Sequence, residues 1–279
     1  MRMARKVGIA STCLFLAVCS TVIYSSTALR NRITAMEAEV AASAKAIPLA
    51  EADLPAPVQQ YFAFTFPQGL PRNIAWVEVE MAGDFRRPLT ERFEPTTARQ
   101  VADARTPNFA FSADTPILGP LWAVAYDTFI AGKMEMKAKL LSTVTVVDEK
   151  GSPKLDQISL RRWLLESPAY PMALLPGGAV RWETVDDNHA RAVVEAYGQT
   201  ASLIATFRKD GSLERFDAEE DGDLTTPYHG SGEHTWRGDY RLVDGVMIPM
   251  QFVLARAAGG EILPFWSGRI RQITMRRAE

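Results

Sequence analysis

Residues 132–151 read GKMEMKAKLLSTVTVVDEKG. From Lys133 the period is two: Met134, Met136, Ala138 and Leu140 alternate with Lys133, Glu135, Lys137 and Lys139. Successive side chains of a strand point to opposite faces of a sheet, so this stretch predicts a strand with one apolar and one charged face. The alternation continues through Val144 and Val146, which predicts one long, curved strand ending at Asp148-Glu149-Lys150-Gly151. Upstream, Ala75, Val77, Val79 and Met81 alternate with Trp76, Glu78 and Glu80, up to a turn signal at Gly83-Asp84. Residues 109–114 read as a short strand, and 121–130, apolar on both faces, as a buried one.

Downstream, strands are expected at 180–185, 190–197, 201–208, 213–218, 233–243, 246–255 and 262–275. Asp210-Gly211, Asp244-Gly245 and Gly259-Gly260 supply turns between them. One segment breaks the period. Residues 155–166 read as a helix with Asp156 as N-cap, and Pro168 bars much extension. The expected fold class is mainly β (α+β): about ten strands in one strongly curved antiparallel sheet, a half-barrel, with a packed helix. A transmembrane helix precedes it.

That helix is read from residues 7–29, VGIASTCLFLAVCSTVIYSSTAL, which carry no charge and follow Arg2, Arg5 and Lys6. At about 1.5 Å per residue they can span a bilayer core of about 30 Å. The segment is expected to act as an uncleaved signal anchor, the alternative being secretion after cleavage near Ala28. The flanking charges favour a single pass through the cytoplasmic membrane with the body outside. The expected organisation is an anchor at 1–32, a stalk at 33–53 and a single antiparallel β domain at 54–279.

Residues 1–32 hold five basic groups and no acidic one. Of the 31 basic and 33 acidic groups in the 279 residues, the body therefore keeps 26 and 33, a net of −7. An acidic body argues against nucleic acid as a partner. Both cysteines, Cys13 and Cys19, lie in the anchor, so the body is expected to use neither disulfides nor zinc-thiolate sites. No cofactor fingerprint stands after a strand, and no metal is expected. His229 and His234, with Glu233 and Asp239 nearby, match no metal-ligand spacing.

The segment 161–178, RRWLLESPAYPMALLPGG, is the most informative for chemistry. Glu166 lies near a helix C-terminus, where the dipole disfavours an anion, and Arg162 precedes it by four residues. Either this pair fixes the helix on the sheet, or Glu166 and Arg162 form a catalytic site of hydrolase or isomerase type, aided by Asp127 or His189. Tyr170-Pro171 is a candidate cis bond. The tryptophans and methionines admit two readings as well, a packed core or the lining of an apolar cavity. The candidate lining is Trp122, Met134, Met136, Phe207, Trp236, Phe252 and Trp266.

The chain resembles a family of uncharacterised bacterial proteins that typically carry an N-terminal membrane segment. The resemblance covers roughly residues 54–275 and rests on LPAPVQQYF (54–62), DTFIAG (127–132), RWLLESPAYPMALLP (162–176) followed by Trp182, and FRKDGSLERFDA (207–218). Members usually have an aromatic where Ala169 stands and Thr where Met172 stands. The strand pattern also looks like the curved half-barrel of the lipoprotein carriers LolA and LolB. The expected function is binding of an apolar or amphiphilic, lipid-like small molecule in the concavity of the sheet. A catalytic role for Glu166 with Arg162, or a purely structural or interaction role, remains as the alternative.

Overall fold

Thirteen strands hydrogen-bond side by side among the described residues of a computed structural model, which covers 2–71, 73–87, 90–219 and 234–278, with side chains from residue 13 onward. In chain order they are β1 (Ile74–Arg86), β2 (Phe93–Asp103), β3 (Phe109–Leu118), β4 (Leu121–Ile130), β5 (Lys133–Leu140), β6 (Val144–Lys150), β7 (Val180–Thr184), β8 (His189–Ala196), β9 (Gln199–Phe207), β10 (Leu213–Asp217), β11 (His234–Val243), β12 (Val246–Ala258) and β13 (Glu261–Arg277). The order across the sheet is β6-β5-β4-β3-β2-β1-β13-β12-β11-β10-β9-β8-β7, every pairing antiparallel. Two meanders thus meet where β1 pairs with β13, and the sheet stays open at β6 and β7. Three helices accompany it: α1 (Arg2–Ser43), α2 (Ala56–Thr65) and α3 (Pro153–Glu166).

The expected antiparallel, mainly β fold is present, and several local expectations are corrected. Gly83-Asp84 is not a turn but lies inside β1. A β-carbon at Gly83 would fall into the backbone of Ser267 and Gly268, so glycine permits β1 and β13 to approach here. The strand β2 was not expected, because FEPTTARQV interleaves charge and small residues instead of showing a clean apolar face. The long strand from Lys133 breaks at Leu141 and Ser142, both in left-handed backbone (φ 50° and 57°), which fold β6 back on β5. The helix begins at Pro153 under the cap of Ser152, whose hydroxyl accepts from Leu155 N–H at 3.3 Å. Asp156, expected as the cap, is instead fully buried, accepting from Met134 N–H and pairing with Lys133, both at 2.9 Å. The Tyr170-Pro171 bond is trans, no cis peptide occurring among the described residues.

The 162–176 motif locks this helix in place. Two 3₁₀ turns, Ser167–Ala169 and Pro171–Leu174, continue α3. The Arg105 guanidinium donates to the carbonyls of Met172, Leu175 and Pro176 at 2.7–3.0 Å. The indole of Trp163 donates to Asp103 O, that of Trp182 to Leu174 O, and the Tyr170 hydroxyl to Trp163 O. Except for the one to Asp103 on β2, these bonds satisfy carbonyls that the end of α3 and its 3₁₀ turns would otherwise leave bare. Trp163, Leu160, Leu164, Tyr170 and Leu174 close one core against the concave face, joined by Tyr61 of α2.

The segment expected as a stalk is helical through Ser43, continuous with the anchor. Leu29, Ile33, Met36 and Val40, spaced as one helical face, pack on Val101, Ala110, Val124 and Tyr126 of the convex face. Ion pairs of Arg30 with Asp114, Arg32 with Glu135 and Arg99 with Glu37 flank this seam. α1 contains a stretch long and apolar enough to cross a membrane.

Candidate functional site: a cavity over a buried ion cluster

The concave face is covered unequally. α3 packs on β8 and β9 and only its edge reaches β4 and β5. Over β2–β6 and the adjoining ends of β12 and β13 the face is left open as a cavity of about 480 Å³. The register explains the space. Ala98, Ala113, Ala125 and Ala138 stand directly across from one another on β2, β3, β4 and β5. Three of these, Ala113, Ala125 and Ala138, line the wall. Phe85, Phe111, Met136, Leu263, Phe265 and Trp266 complete an apolar lining.

Polar groups gather at the floor. The Arg162 Nε–H donates to Glu166 Oε1 at 2.9 Å, and Nη1 donates to Asp127. The guanidinium lies over the rings of Phe109 and Phe111, 4.9 and 4.7 Å from their centroids, a contact that favours cations in a dry site. Arg162, Asp127 and Glu166 are 5%, 6% and 9% exposed. Arg237 adds a second buried cation, its Nη2 donating to Leu165 O at 2.9 Å.

Burial pushes the Asp127 carboxyl up to about 6, Arg162 opposing and Glu166 reinforcing the shift. Burial pulls the Arg162 guanidinium down, and Glu166 and Asp127 more than offset it. Arg237 is lowered by burial. Asp127 Oδ1, Glu166 Oε2 and Trp266 Nε1 are buried without a hydrogen-bond partner, and all three residues border the cavity. Two acceptor atoms and one donor atom therefore stand buried and unpaired beside the cavity. At the other end Arg86, its guanidinium over the Phe93 ring, and Arg87 line the rim.

The structure brings together some of the expected residues and separates others. Asp127, Arg162 and Glu166 form one cluster, with Met136 and Trp266 on the cavity wall. Phe252 packs against Trp266, ring centroids 5.2 Å apart, and borders a crevice of about 20 Å³ beside Ala169. Met134 and Phe207 are packed into the core. Trp122 and Trp236 do not reach the cavity. Trp122 borders a groove near Arg30 on the convex face, and Trp236 stacks with His234 under Arg215. His189 pairs with Asp186 at the exposed β7–β8 turn, away from the cluster. His234 pairs with Asp217 at 2.6 Å, while His229 and Glu233 lie outside the described residues. No group of metal-binding side chains occurs among the described residues. Reasoning from the sequence missed Phe85, Phe111, Phe265 and the alanine row. Alternation places each on a face, but only the pairing register puts them beside one another.

Residues 52–275 match the model of a family described as "Family of unknown function (DUF6920)". The chain belongs to this family. The match covers all of the sheet but the last two residues of β13, and the 162–176 motif noted in the sequence lies within it. None of the curated proteins matches the chain. Among solved structures, a LolA superfamily protein of Nitrosomonas europaea is similar at 11% identity and a TM-score of 0.41, covering 82% of this chain and 96% of that one. A domain described as an outer membrane lipoprotein-sorting protein of Vibrio parahaemolyticus is similar at 5% identity and a TM-score of 0.36, covering 79% and 91%.

Proposed function

We propose that the protein is a membrane-tethered binding protein that takes one apolar or amphiphilic, lipid-like molecule into the cavity over β2–β6. The body stands outside the cytoplasmic membrane, held by residues 7–29. The observation that carries this reading is the cavity itself. A packed interior leaves few voids larger than a water molecule, whereas about 480 Å³ falls in the range of small-ligand sites. Its character also fits such sites, with apolar walls and a few convergent polar groups at one end. The buried carboxylates Asp127 and Glu166 share the Arg162 guanidinium, and buried Arg237 acts on Glu166 as a second cation, so the cluster as a whole is close to neutral.

Native mass spectrometry of the full chain, purified from membranes in mild detergent, tests the reading. The expected result is a retained adduct of lipid mass that Ala125→Trp, which fills the wall, removes. A chain that carries no adduct, or one that Ala125→Trp leaves in place, refutes it.

A further inference from the structure

The cavity has a direction relative to α1. Arg30 pairs with Asp114 on β3, and ten residues on, Val40 sits among Val101 and Ala110. In register Asp114 faces Thr97 and Ala110 faces Val101, so α1 runs alongside β2 in the same sense. Followed backwards from Arg30, the helix therefore projects past the end of the sheet where β2 begins and β3 ends. Leu118 lies four residues beyond Asp114, roughly 13 Å at about 3.3 Å per residue. The same rise along the helix takes roughly nine residues, which sets the β3–β4 turn level with Thr21. The burial along α1 agrees. Cys19, Val22, Ser25 and Ser26 are half-buried while Leu14, Leu16, Val18 and Ile23 are exposed.

The turns at this end carry exposed apolar side chains, beside the charged Glu91 and Arg92 of the β1–β2 connection. Leu118 is 71% exposed and Val144 59%, and Leu121, Val146, Phe93 and Ile262 are exposed as well. They stand on the strand ends that flank the β3–β4, β5–β6, β1–β2 and β12–β13 connections. Register aligns all four at one end: Phe85 faces Trp266, Arg86 faces Phe93, Leu118 faces Leu121, and Leu140 faces Ala123 and Val144. The cavity reaches the same end through Arg86, Arg87, Ile117, Leu140 and Leu263, with the Asp127 floor at the other.

We infer that this end of the half-barrel is seated in the interface of the bilayer that α1 enters, with the cavity mouth applied to the lipid. The inference rests on residues 7–29 crossing that bilayer. Apolar turn residues at the level of an apolar span meet acyl chains instead of water, which removes the cost of their exposure. Arg86 and Arg87, level with Leu118 in the register, have side chains long enough to extend from that depth to anionic headgroups. A guest passes between bilayer and cavity without crossing water.

Full-length protein with Cys13→Ser and Cys19→Ser, bearing a single cysteine at Leu118→Cys, Val144→Cys or Lys150→Cys, provides the test. Lys150 is exposed at the far end of β6, roughly 20 Å from Val144. Each variant is labelled with an environment-sensitive nitrobenzoxadiazole and reconstituted into phosphatidylcholine–phosphatidylglycerol vesicles containing acyl-chain spin-labelled lipid. The expected result is quenching at least twofold stronger at positions 118 and 144 than at 150. Quenching at 118 and 144 no stronger than at 150 overturns the inference, and leaves cavity binding standing if the lipid adduct persists. Strong quenching without a retained adduct keeps the docking and removes the ligand.

Discussion

The two halves of the concave face are built on one period and end differently. On the β7–β11 side the inward positions meet α2, α3 and the 3₁₀ turns, and Trp163, Tyr61, Tyr170 and Phe216 are fully buried there. On the β2–β6 side the inward positions include the row Ala98, Ala113, Ala125 and Ala138, and a cavity remains. The binary pattern is the same on both sides. What separates them is side-chain volume and the presence of a cover. The contrast teaches that alternation specifies which side chains turn inward, while an opposing layer decides whether they become core or lining. The Arg162–Asp127–Glu166 cluster lies on the boundary, tying the covering helix to β4.

That boundary is where the largest effect is expected. Arg162→Ala leaves two buried carboxylates without their cation and should cost about 3–5 kcal/mol, read as a drop in the midpoint of urea unfolding. If the loss is under about 1 kcal/mol, the cluster does not bind the halves together.

Truncation then measures the contrast directly. Leu160→Ala, fully buried in the covered half, should lose about 2–5 kcal/mol. Met136→Ala, half-buried on the cavity wall, should lose roughly 1 kcal/mol or less, because its side chain already borders open space. Equal losses would show that the cavity wall is packed as tightly as the core.

Enlargement inverts the ranking. Ala125→Trp has a void to enter, so its stability change should stay within about 1 kcal/mol, although it removes ligand retention. Ala205→Trp, at a fully buried alanine of the covered half, should lose more than that, since overpacking a filled site costs about 1–3 kcal/mol or above. Thermal denaturation of the pair decides it.

The smallest expected effect is a slope. The folded Asp127 carboxyl titrates near 6, above its unfolded value near 3.9. Between these values the folded chain holds a proton that the unfolded chain has released. Its contribution is therefore full below about pH 4 and declines as pH rises towards 6. Buried Asp103, also near 6, acts in the same sense. Asp127→Asn should make the stability of the variant fall less steeply than wild type across this window. A steeper fall in the variant would contradict the raised value.

Much of the secondary structure was legible in the residues alone. Period two at 74–82 and 133–140 is local information, since a strand sends alternate side chains to opposite faces whatever its neighbours are. Asp244-Gly245 and Gly259-Gly260 marked turns because both residues of each take positive φ. The uncharged run at 7–29 marked a helix long enough for a bilayer. The sequence also singled out Arg162 and Glu166, since a carboxylate at a helix C-terminus with a cation one turn back has a local signature. Tertiary structure alone decided the rest. Asp127 reaches Arg162 only because β4 passes under α3, 35 residues apart in the chain. Phe252 and Trp266 met through strand pairing, whereas Trp122 and Trp236 fell on the convex face, which composition does not distinguish. The cavity exists because four alanines align across strands and the covering helix stops short of them, and the direction of its mouth follows from how α1 lies on β2. Register, cover and the sense of packing are relations between distant segments, and no periodicity within a single segment encodes them.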